Sequence, residues 1–149
     1  MARVDRVDRA RLAEARRLSQ MLVTLAERSR SDFIEAVESL GLPLHLARAL
    51  LRLETPAAMS DFADRLDCNR SNVTAIADQL EQRGLVTRVP GADRRIKLLA
   101  LTQEGKAERD RLETAVAEQS MVLLRLDDRE RAVLAPLLER LLGPEERLD

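Results

Sequence analysis

Apolar residues recur at helical spacing along the first part of the chain. Leu18, Met21, Leu22 and Leu25 are followed by Phe33, Ile34, Val37 and Leu40, with Arg and Glu between them, which predicts one long helix over residues 5–40. Ser29, Ser31 and Asp32 fall inside this run, but neither Pro nor Gly interrupts it. Gly41 marks its end as a left-handed C-cap would, and Pro43 suits the first turn of a second helix over 44–53. After Thr55 and Pro56, Ser60 offers an N-cap for a short third helix whose Phe62, Ala63 and Leu66 face inward. Asn69 or Ser71 offers a cap for a fourth helix that ends at Arg83 and Gly84. Its apolar positions Val73, Ile76, Ala77 and Leu80 are three and four apart. Short helices joined by tight turns are the layout of a helix-turn-helix unit.

The period then changes. Leu85–Val89 and Arg95–Leu101 read as two strands around the turn cluster Pro90-Gly91-Ala92-Asp93, a hairpin placed straight after the fourth helix, where a wing belongs. Thr102 is the expected N-cap of a fifth helix running to about Leu126. Asp127 or Asp128 starts a sixth, which Pro136 should kink or split. The expected fold class is therefore mainly α with a small β-hairpin wing, a winged helix-turn-helix lobe over residues 42–102.

Composition narrows the function. The chain is 45% hydrophobic and 34% charged, enough for a core with heavily solvated helix faces, but Phe33 and Phe62 are its only aromatics. It lacks the stacking platform of single-strand nucleic-acid binders. The net charge of −1 is unevenly spread: Arg83, Arg88, Arg94, Arg95 and Lys97 face only Asp93 within one stretch. A basic patch on an otherwise acidic chain is the footprint of a phosphate-touching surface, the alternative being a solvated loop. The single cysteine, Cys68, excludes an internal disulfide or a cysteine-based zinc site, and the single histidine, His45, has no partner for acid–base chemistry and reads as a solvated helix-start residue. With no Ser-His-Asp arrangement, phosphate loop or metal cluster, neither an enzyme nor a cofactor is expected. No apolar run reaches the ~18 residues of a membrane span and no signal core opens the chain, so the expected location is the cytoplasm.

The run MSDFADRLDCNRSNVTAIADQLEQRGLVTRVPGADRRIKLLALTQEGK resembles the core of the MarR family of bacterial regulators. The matching points are Val73-Thr74, Leu80-Glu81, Gly84-Leu85-Val86, Arg88, the Asp93-x-Arg95 of the wing, and Leu101-Thr102 with Gly105. Their order and spacing carry the resemblance, although the stretch between Arg88 and Asp93 is one residue shorter than usual. The resemblance implies a homodimer in which the first and last helices, residues 1–40 and 103–149, intertwine as a dimerisation bundle. The apolar surface of those helices, more than one small lobe needs, agrees. It further implies a transcriptional regulator, here expected to be a repressor responsive to a small apolar or anionic effector held between lobe and bundle. Its target would be double-stranded DNA with a pseudo-palindromic operator. An effector-independent or activating regulator, or a protein-docking module that no longer binds DNA, are the alternatives.

Within that frame, Arg70, Ser71, Asn72 and Thr74 at the start of the fourth helix suit base edges and phosphates, with the capping of the helix as the plainer role for Ser71 and Asn72. Ala75, Gln79 and Gln82 are weaker candidates, and Asp78 and Glu81 belong on the protein side. In the wing, the resemblance makes Arg95 a minor-groove arginine and Asp93 its positioning partner, with Arg94 on phosphate. Cys68 has two readings, a small hydrophobe packing the third helix against the fourth, which is preferred, and a redox-active thiol near a helix N-terminus.

Overall fold

The computed structural model describes residues 9–143. The expected helix start at residue 5 and the last six residues of the expected bundle segment lie outside them. A 31-residue helix α1 (Arg9–Ser39) opens the fold. It ends in Gly41 at φ +66°, a backbone that glycine adopts without strain. Pro43 sits one position earlier than expected, as the N-cap of α2 (Leu44–Arg52). A strand that the hydrophobic pattern did not show, β1 (Ala57–Ala58), leads directly into α3 (Met59–Arg65). Ala58 is therefore the N-cap of α3, and Ser60 lies inside its first turn rather than capping it. Helix α4 (Arg70–Gln82) follows, then β2 (Val86–Pro90) and β3 (Lys97–Leu101).

The three strands form one antiparallel sheet in the order β1-β3-β2. Five register pairs from Val86↔Leu101 to Pro90↔Lys97 join β2 to β3. Pro90 is thus the last residue of a strand and not part of the turn. An edge strand tolerates it, because no further ladder needs its missing N–H. The hairpin tip accordingly moves to residues 91–96 and takes in Arg94 and Arg95.

The second half is helical. Thr102 caps α5 (Gln103–Gln119) by accepting the Gly105 N–H at 3.0 Å. The helix expected to reach Leu126 stops at Ser120, whose side chain accepts the Val122 N–H and so starts a separate short helix, α6 (Met121–Arg125). Asp127 then caps α7 (Asp128–Leu142) in a reciprocal box with Glu130. Pro136 neither splits nor ends α7.

One core holds the lobe together. Phe62, Leu46, Leu50, Leu53, Val73, Leu80, Leu99 and Leu112 are almost wholly buried, and the core extends to Val37 of α1. Of the two aromatics, Phe62 is fully enclosed and Phe33 packs partly buried against the same cluster. Outside this core the apolar residues are exposed, including Leu12, Leu18, Met21, Leu22 and Leu25 of α1 and Val133, Leu137, Leu138, Leu141 and Leu142 of α7.

The lobe and α5 are stitched at one point. The Thr102 hydroxyl donates to the Gly84 carbonyl at 2.6 Å, and the Thr102 N–H donates to the Leu85 carbonyl at 3.1 Å. Gly105 packs so closely beneath this junction that a Cβ there would lie 1.8 Å from the Leu85 carbonyl oxygen.

Candidate nucleic-acid interface

Helix α4 is oriented by its apolar stripe. Val73, Ala77 and Leu80 are buried, which turns Arg70, Ser71, Asn72, Thr74, Ala75, Asp78 and Gln79 to the outside. The turn before it is tight: Cys68 N–H donates to the Ala63 carbonyl at 3.1 Å, and Asp67 adopts φ +48°, a conformation that a short polar residue tolerates. The Asn69 side-chain oxygen accepts the Asn72 N–H at 2.9 Å, so Asn69, not Ser71, is the cap. The Ser71 hydroxyl donates to the same oxygen at 3.2 Å, and the Thr74 hydroxyl donates to the Arg70 carbonyl at 2.9 Å. Both hydroxyl protons are engaged locally, which leaves these oxygens as acceptors. Among the described residues, no hydrogen bond or ion pair engages the side chains of Arg70 and Asn72.

The opposite end of α4 is tied into the protein. Schellman-type bonds run from the Gly84 N–H to Glu81 and from the Leu85 N–H to Leu80, with Gly84 at φ +72°. Gln79 lies 3.0 Å from His45 Nε2, so this exposed histidine braces α2 against α4 instead of standing alone in solvent. Asp78 and Glu81, expected on the protein side, are instead exposed, and both meet one cation: Arg88 Nη2 is 2.8 Å from Asp78, and Arg88 Nε is 3.5 Å from Glu81. Arg88 therefore does not add to the basic patch that the sequence showed.

In the wing, the tip is closed by its own backbone. Gly91 N–H donates to the Ile96 carbonyl at 2.8 Å, and Ile96 N–H donates to the Asp93 carbonyl at 2.9 Å. The Asp93 carboxylate accepts the Arg95 backbone N–H at 3.0 Å. Asp93 thus holds Arg95 through its main chain. The Arg94 and Arg95 side chains are exposed and, among the described residues, carry no ion pair. Cys68 is half-buried and packs against the core at the α3–α4 turn. No described helix is long and apolar enough to cross a membrane.

The sequence model of the MarR family matches residues 48–97, which span α3, α4, β2 and the wing tip. Over that third of its length the chain is similar to the MarR family. It is 37% identical over 86 residues to a protein assigned to transcriptional regulation of the hcr operon in Thauera aromatica, covering 56% of this chain and 52% of that protein. It is 34% identical over 87 residues to the HTH-type transcriptional repressor MdtR of Bacillus subtilis, covering 56% of each. The chain thus spans about half the length of the curated relatives it matches, and both of those are transcriptional regulators by name. Its fold matches the crystal structure of CouR from Rhodococcus jostii RHA1 bound to p-coumaroyl-CoA at a TM-score of 0.66. That match has 23% identity and covers 85% of this chain and 92% of that one. Helices α3 and α4 with the β2–β3 hairpin form a winged helix.

Proposed function

We propose that this chain is a homodimeric, sequence-specific DNA-binding transcriptional regulator of the cytoplasm, a ligand-responsive repressor that reads one half of a pseudo-palindromic operator with each subunit. The observation that carries the reading is the exposed start of α4, with Arg70 and Asn72 unengaged, followed in the chain by a wing tip whose Arg94 and Arg95 are exposed and unpaired among the described residues. Arg70 and Asn72 act as the base-reading pair, because a guanidinium matches guanine and a carboxamide matches adenine in the major groove. Ser71 and Thr74, with hydroxyl protons already used, accept from bases or support the helix. Arg95 enters the minor groove and Arg94 touches phosphate, while Asp93 fixes the turn that presents them.

The exposed leucines of α1 and α7 support a two-fold partner, with residues 1–40 and 103–149 as its interface and 42–102 as the DNA-binding lobe. Repression finds support in the repressor MdtR, and an effector, taken here as a small apolar or anionic compound, in the ligand-bound CouR neighbour. Cys68, half-buried and packed, serves the core in this reading.

The test is a titration of purified protein against a duplex enriched from a random library and against its scrambled counterpart, at several salt concentrations. A preference of at least roughly 10³ for the enriched duplex is expected of a specific binder. Equal affinity for both duplexes would remove sequence-specific regulation, and no affinity for either would leave a docking module.

A further inference from the structure

The two acids of α4 stand on the helix that approaches DNA, where their charge opposes the phosphates. Asp78 and Glu81 nevertheless converge on one guanidinium, with Arg88 offering Nη2 to the first at 2.8 Å and Nε to the second at 3.5 Å. Arg88 is the third residue of β2 and pairs with Leu99, a buried residue of the central strand. A hold on Arg88 is therefore a hold on the whole hairpin, two residues before the strand ends at Pro90 and the tip begins. A planar guanidinium gripped from two sides fixes direction as well as distance, which a single ammonium group does not.

We propose that Arg88 is a positioning residue of the DNA-binding surface, and that Asp78 and Glu81 strengthen DNA binding despite their charge, because together they set the wing against the recognition helix. The inference rests on the DNA-binding reading above. Two neighbouring grooves can be engaged at once only when helix and wing tip keep a fixed separation. The Asp78–Arg88–Glu81 clamp is the polar link that joins the two elements. It contributes little to folding, since all three side chains are roughly half exposed and such pairs are screened by water.

The sign of one measurement decides the matter. By charge alone, Asp78→Asn with Glu81→Gln removes repulsion and tightens binding to any duplex. By positioning, the same double variant binds the enriched duplex roughly tenfold more weakly, within the range for coupled neighbours, with its salt slope unchanged. Arg88→Gln should weaken binding by a similar factor, and combining Arg88→Asp with Asp78→Arg should recover most of it. Thermal unfolding run beside each titration should show wild-type midpoints. Binding by the double variant as tight as wild type or tighter overturns the inference alone. So does an Arg88→Gln salt slope reduced as much as that of Arg94→Ala, which would make Arg88 a direct phosphate ligand. A wild-type protein that binds neither duplex overturns this inference together with the reading beneath it.

Discussion

Helices α2 and α7 are both amphipathic, yet they end in opposite situations. In nine residues α2 buries Leu46, Ala47, Ala49 and Leu50, whereas α7, with fifteen, buries none. Helix α1 repeats the contrast within itself: Ala36 and Val37 near its end are buried, and Leu12 to Leu25 lie open. The lobe's core is thus completed by the end of α1 and by Leu112 of α5, while the start of α1 and all of α7 carry an apolar face that their own chain leaves uncovered. A protein that exposes so continuous an apolar surface has a partner for it or aggregates. In the proposed homodimer the two regions would answer to different concentrations, the lobe to none and the outer helices to that of the protein itself.

The largest effect should come where the regions meet. Gly105→Ala places a Cβ against the Leu85 carbonyl, a backbone atom that no side-chain rotation can clear. A destabilisation of more than about 4 kcal/mol, or failure to fold, is expected in denaturant unfolding. A near wild-type midpoint would show that α5 can slide away from the lobe at little cost.

Removing residues 1–25 is the next most severe change, because it strips the open half of α1 and, in the proposed dimer, would leave the second subunit's leucines uncovered. The truncated chain should be poorly soluble or aggregated in sedimentation. A well-folded soluble monomer would refute the proposed division between lobe and interface, since ordinary chain ends tolerate trimming.

Within the lobe, the helix and the wing should fail differently. Asn72→Ala or Arg70→Ala should cost about 1–3 kcal/mol on the enriched duplex and leave scrambled DNA nearly unaffected. Arg94→Ala and Arg95→Ala should weaken both duplexes, and the salt slope should fall by roughly 1 for each phosphate no longer neutralised. Equal weakening by helix and wing variants on both duplexes would erase the distinction. The smallest effect is assigned to Cys68→Ala, about 1 kcal/mol or less for a half-buried packing residue, with DNA binding and any peroxide response retained. Disappearance of an oxidant response at unchanged stability would instead make the thiol a sensor.

Most of the helical frame was legible because local chemistry and tertiary need agree in it. Gly41 and Gly84 end helices at positive φ, and Asn69, Thr102 and Asp127 cap them through their side chains. Where the sequence misled, a long-range interaction or a competing cap decided. Two alanines carry no alternation, so β1 exists only because β3 pairs with it. The apolar spacing of Val116, Val122 and Leu123 continues across Ser120, yet the serine caps a new helix there. The basic run suggested five cations for DNA, but Arg88 is taken by acids ten and seven positions earlier in the chain, a pairing that spacing in a linear pattern does not display. The proposed site residues of α4 and the wing are exposed. Which of their polar atoms are already in use is a matter of three-dimensional geometry, and no pattern along the chain records it.

The Thr102 stitch has a mechanical consequence. It welds the end of α4 to the beginning of α5, a 17-residue helix about 26 Å long. Helix α5 then acts as a lever whose short end is α4. A tilt of about 5° about the weld displaces the far end of a rod of that length by about 2 Å. Run in reverse, a shift of the far end by the width of one atom would turn α4 by a few degrees. Substituting Thr102 by valine would loosen the weld and turn the lever into a hinge, so that motion at one end no longer reached the other.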